Sequence, residues 1–265
     1  MSNPVLTLDL RSRVREKRLW ILAVFFVLTP LVLSLIAMAT MHDPGRDPYP
    51  SMGSVLSGFA LFSHGALLVL MSALGAAQRI SQERERRTLP ALINSPLSPK
   101  RIADGKLLGA WAFTLWLAFL TLPFLAISSL WGGMPFHELV VAWFFNVAAA
   151  LAAASLALGL SGLFGRSLSA YLATGAVLFL WCAVMPAVGG LTLSGNVIYG
   201  STEESIICAL SFQHLPLAPQ VMMFCDAYSD QSFGIWRCVW ALFVWMCIAV
   251  LGRYMAIRGL RREVY

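Results

Sequence analysis

Charge is what this chain lacks most. Only 12% of its 265 residues are charged, about half the roughly 25% of a soluble domain. With 58% hydrophobic residues and a mean hydropathy of +0.74, that shortage excludes an ordinary water-soluble globule. The five cysteines are an odd number without a C-x-x-C pair, and they say nothing about class. No G-x-x-x-x-G-K-[ST] loop is present to cradle a phosphate, since Gly105-Lys106 is followed by Leu107 and lacks the upstream Gly. No paired carboxylates and no His/Cys cluster fall within the apolar runs, which argues against a membrane-embedded enzyme. No cleavable signal peptide is expected, because the first apolar run is too long and its basic flank too extended.

What is there is an integral membrane protein, all-α in class. A spanning helix needs about 20 mostly apolar residues. Six stretches qualify, near Leu19–Thr40, Val55–Ala77, Leu107–Trp131, Leu139–Phe164, Leu168–Leu193 and Ile235–Ile257. Pro30 and Pro186 predict kinks in the first and fifth. The fourth contains AAALAAASLALGLSG, whose small residues let helix backbones approach closely.

Basic residues near span ends fix orientation. Six alternating spans put seventeen of the nineteen Lys and Arg on one side and leave only Arg46 and Arg237 on the other. Both termini are therefore expected in the cytoplasm, and the charge surplus reports topology rather than nucleic-acid binding. The chain reads as a single transmembrane domain over 1–265. The N-terminal segment 1–18 places Leu6, Leu10 and Val14 at helical spacing and reads as a cytoplasmic interfacial helix in preference to a basic orienting tail. The outer segment 194–234 has no Lys or Arg, and its short apolar passages read as re-entrant or interfacial helices between spans five and six.

The most charged passage between two apolar runs is Arg79–Lys106, with seven basic residues. Gln82–Arg87 reads as a charged extension of the second span, which Pro90 interrupts or redirects. Ser95-Pro96 and Ser98-Pro99 are turn formers, and Ser98 is placed to cap a helix that begins near Pro99 and runs into the third span. This predicts a helix, a reversal and a new helix. A loop serving topology alone would not need Glu83 and Glu85, since acidic residues contribute little to orientation.

Glu83-Arg84-Glu85, Thr88-Leu89, Ser95-Pro96-Leu97-Ser98, Ile102 and Gly105-Lys106 follow one another in an order that resembles the motif of type-2 ABC exporter permeases. Arg87 stands where that family usually has Gly, and Pro90 where it usually has an acidic residue. The resemblance implies that the loop 78–106 carries a cytoplasmic coupling helix seated in a separate ATPase. Glu83, Arg84, Glu85, Arg87, Thr88, Leu89, Ser95, Pro96 and Leu97 would then carry the coupling. It also implies two ATPase chains that bind the ATP and Mg, a second permease chain, identical or not, and a bacterial inner-membrane location. This chain itself would bind no cofactor. In that family the second and fifth spans line the path, so His64, Ser57 and Thr174 are candidate path residues. His64 otherwise reads as a neutral imidazole bonding a neighbouring helix. An amphipathic or lipid-like cargo is expected. The rival is a non-transporting anchor or mechanotransmitter driven by the same motor.

Three further expectations concern scattered residues. Cys208 and Cys225 form a disulfide or remain free thiols. His42, His137 and His214 share no ligand spacing, and no metal is expected. Trp20, Trp131, Trp143 and Trp236 read as interface anchors, and Trp181 and Trp245 as packing or cavity-lining residues.

Overall fold

The computed structural model describes residues 17–41, 52–94, 97–130, 135–181 and 235–262. Among these the chain is helical, with no strand. Helices α1 (Lys17–Met41), α2 (Met52–Ala77), α5 (Pro99–Leu130), α6 (Phe136–Leu163) and α8 (Ile235–Arg261) cover five of the expected apolar runs, and α7 (Ser167–Phe179) covers only the first half of the fifth run, whose residues 182–193 lie outside the described residues. Two short helices, α3 (Ser81–Glu85) and α4 (Leu89–Ile93), lie between α2 and α5. By length and composition, four stretches among the described residues suffice to cross a membrane, not the six expected: Ala60–Glu85, Pro99–Pro123, Phe136–Leu163 and Val239–Arg261. Two shorter apolar stretches accompany them, Ala23–Leu33 and Ser167–Phe179. The N-terminal segment 1–16, the 194–234 segment with Cys208 and Cys225, Pro186, His42 and His214 lie outside the described residues.

α6 organises the bundle, packing against α2, α5, α7 and α8. Its composition explains this. In lipid there is no hydrophobic drive between helices, so association relies on close van der Waals contact, which small residues permit. Ala149, Ala150, Ala152, Ala153, Ala154 and Ala157 are all buried along α6. Against α8 the approach is closer still. A methyl on Gly159 would sit 2.6 Å from the Gly252 carbonyl oxygen. Methyls on Gly252 and Gly259 would collide with the backbone of Ser155 and Gly162. α1 makes the opposite kind of contact. Among its described side chains only Ala23, Phe26 and Pro30 are buried, while Ile21, Val24, Phe25, Leu28 and Val32 are exposed apolar surface.

Polar side chains stitch the helices where apolar packing alone would leave register open. Asn146 of α6 donates from Nδ2 to the Leu61 carbonyl at 3.1 Å and to His64 Nδ1 at 3.2 Å. Trp111 of α5 donates to Leu151 O and Ser155 Oγ. The half-buried Trp143 is turned onto α5, where Nε1 donates to Ala118 O at 3.1 Å. Trp181 and Trp245 are buried, and Trp245 meets Phe145 edge-on at 5.8 Å.

Candidate functional site

The C-terminal ends of α2, α6 and α8 and the N-terminal ends of α5 and α7 meet at one end of the bundle, where residues 78–94 project. The projection begins with a break in the helix. Gln82 N–H still bonds Gln78 O, but the N–H groups of Ile80 and Ser81 turn away to Ser161 Oγ, each at 3.1 Å. A side chain inserted into the i→i−4 ladder interrupts a helix. Ser161 therefore divides α2 from α3. Its two acceptor positions are filled by these amides, so its own proton goes to Ser81 Oγ, 3.1 Å away.

α3 ends in a Schellman motif. Thr88 N–H bonds Glu83 O at 3.0 Å and Arg87 N–H bonds Arg84 O at 3.1 Å. Arg87 has φ of 57°, the left-handed conformation that Gly adopts without steric cost. This is the position where the resembled motif has Gly. Pro90 does not interrupt a helix. It sits in the first turn of α4, where its missing N–H and fixed φ fit. α4 is amphipathic over its five residues. Leu89 is buried, and Leu92, Ile93 and nearby Leu97 pack against the core. Arg86, Arg87, Thr88, Pro90, Ala91 and Asn94 form the exposed face. The Arg101 N–H then reaches Ser98 Oγ at 3.4 Å, the cap that starts α5.

The charged residues of α3 look inward and sideways. Lys106 Nζ, almost wholly buried, donates to Glu83 Oε1 at 2.6 Å and to Arg79 O at 3.0 Å. Arg84 donates to the carbonyls of Phe164 and Gly162, the latter at 3.3 Å. Glu85 accepts from the Ser167 N–H at 2.8 Å and from its hydroxyl. Nearby, Arg253 of α8 grips Asp104 of α5 with two parallel bonds.

The structure thus brings together Glu83, Arg84, Glu85, Arg87, Thr88 and Leu89, with Leu97 half-buried beneath them. Ser95 and Pro96 lie outside the described residues. His64 is fully buried against Asn146 and Phe26, and Thr174 is buried with its hydroxyl bonded to Ala170 O of its own helix. Ser57 lies in α2, its side chain outside those described. Sequence reasoning missed Ser161 and Ser167. The available signal was their position flanking the short turn SGLFGRS, where a polar pair closes one apolar run and opens the next.

A bundle of apolar helices, four of which among the described residues are long and apolar enough to cross a membrane, with a charged protrusion braced at one end, defines a polytopic membrane protein. The family model for ABC-2 family transporter protein matches residues 4–225, and the chain belongs to that family. It is thereby a transmembrane permease of an ABC transporter, not the ATPase. No curated protein matches the chain.

Proposed function

We propose that this chain is the permease subunit of an ATP-driven exporter of an amphipathic or lipid-like substrate. It would work with two copies of a separate ATPase and a second permease chain. All six apolar helices would span the inner membrane, with 1–18 as an interfacial helix, 194–234 re-entrant on the outer side and both termini in the cytoplasm. The observation that carries this reading is the exposed face Arg86–Thr88, Pro90 and Ala91, held out from the bundle on the buried anchor Leu89. A small rigid knob with two exposed guanidinium groups suits an acidic groove on the ATPase, where charge complementarity sets specificity and speed of docking. ATP and Mg would stay in that partner, and work would arrive here as displacement of the knob. In the described conformation His64 and Thr174 are packed inside the bundle, so any path along α2 and α7 opens only when these helices part.

Co-purification tests the reading. An ATPase should accompany the chain from membranes, and Arg86→Glu combined with Arg87→Glu should weaken that association by about tenfold or more. Lipid-like substrate should raise the turnover of the complex. Recovery of the chain without an ATPase, or a turnover indifferent to the chain, would overturn it. Transport into vesicles separates export from mechanotransmission.

A further inference from the structure

The α3 segment is attached to the α6–α7 turn along its whole length, and the attachments run in register. Ile80 and Ser81 bond Ser161, Arg84 bonds the carbonyls of Gly162 and Phe164, and Glu85 bonds Ser167. The chemistry matches the helix termini involved. The last carbonyls of α6 have no intrahelical partner and carry partial negative charge, and they receive a guanidinium. The first amides of α7 carry partial positive charge, and they receive a carboxylate. Adjacent residues of one short helix thus cap the end of one long helix and the beginning of the next.

The Glu-x-Glu spacing acquires a physical meaning here. Residues two apart on a helix point in different directions and do not face each other. Glu83 reaches α5 through Lys106, while Glu85 reaches α7 through Ser167. Glu85 is exposed beside Arg86, but both of its carboxylate oxygens are engaged by Ser167, and Glu83 is half-buried against Lys106. α3 is therefore braced on both flanks.

We propose that Arg84 and Glu85 are positioning residues that weld the 164–166 turn to the protrusion, so that displacement of the knob moves α6 and α7 together. The ATPase would not read these two side chains directly. Only the last part of the test rests on the proposed coupling to an ATPase.

The test uses the full chain in lipid nanodiscs, alone and with its ATPase. Amide hydrogen exchange is measured for wild type, Glu85→Ala, Glu85→Gln, Arg84→Ala and Arg84→Lys. Glu85→Ala should speed exchange in the first turn of α7 by about tenfold, the loss expected for a helix cap, with Glu85→Gln intermediate and the first turn of α5 unchanged. With the ATPase present, Glu85→Ala and Arg84→Ala should bind it within about twofold of wild type while the permease-dependent change in its turnover is lost, and Arg84→Lys should restore part of it. Unchanged exchange at Ser167–Ala170 would overturn the weld. An affinity loss as large as that of Arg86→Glu would overturn the positioning role. Failure of the wild-type chain to bind any ATPase would sink the coupling reading, and the exchange data would still decide the weld.

Discussion

Arg253 and Asp104 meet edge to edge, Nε to Oδ1 at 2.6 Å and Nη2 to Oδ2 at 2.9 Å, joining α8 to the first turns of α5 across 149 residues of sequence. A planar fork on a carboxylate has the geometry of a strong pair. Its surroundings decide its worth: the side chains are 46% and 35% exposed, so water and salt screen them. A double-mutant cycle with Asp104→Asn and Arg253→Gln should give a coupling energy of about 0.5–1 kcal/mol that shrinks as salt rises. A salt-independent coupling above about 2 kcal/mol would contradict this account.

Lys106 and Glu83 form the complementary case. The ammonium side chain is only 7% exposed, with Glu83 as its charged partner and the Arg79 carbonyl as its second acceptor. Glu83→Gln leaves a buried cation beside a neutral amide and should cost about 1–3 kcal/mol in thermal unfolding in detergent. Adding Lys106→Met should recover part of that loss. Strict additivity of the two substitutions would show that the pair does not act as a unit.

Arg87→Gly should separate stability from docking. A non-Gly residue in the left-handed region carries a penalty of about 1–2 kcal/mol, partly offset by the entropy that Gly adds to the unfolded chain. The net expectation is a gain of about 0.5–1 kcal/mol in folded stability, with weaker association with the ATPase because an exposed cation is lost. Calorimetry and a binding titration on the same preparation check both halves. A variant less stable than wild type would show that the Arg87 side chain supports the fold.

Glycine substitutions should distinguish close approach from open space. Gly252→Ala and Gly259→Ala each drive a methyl into the backbone of α6, and each should cost about 2–4 kcal/mol or force α6 and α8 apart. Gly175→Ala in α7 meets no atom within 4 Å. It should be neutral or stabilising by up to about 1 kcal/mol. Thermal unfolding of the three variants in one detergent makes the comparison, and equal losses in all three would refute the packing argument.

How much of this was legible beforehand differs by kind of feature. The apolar helices were legible because about 20 uncharged residues in a row leave few alternatives. The reversal between α2 and α5 was legible from Ser98-Pro99, and Arg87 was visible as a departure from Gly. Pro90 was misjudged because proline's effect depends on position: it breaks a helix from inside but opens one from the first turn. The partners of Glu83 and Glu85 were not legible. Local spacing says that the two carboxylates diverge, but Lys106 is 23 residues from Glu83 and Ser167 is 82 from Glu85. Sequence also showed that α6 is rich in small residues without saying which helix would exploit them. That choice depends on α8, which follows a long segment outside the described residues. His64 stood open between two roles, and the structure places it in contact with Asn146 through a bond that spans 82 residues.

The hydroxyl of Ser161 has a consequence for how the protein is made. Helices as short as α3 and α4 do not persist by themselves in water. The amides that begin α3 are satisfied by a residue about eighty positions downstream. The break between α2 and α3 is therefore expected to take its final form only after α6 has been made and has brought Ser161 to it. Nascent chains halted before Ser161 should be cut by trypsin at Arg84–Arg87, and chains extended past Ser167 should resist, which makes the end of α6 a checkpoint in assembly.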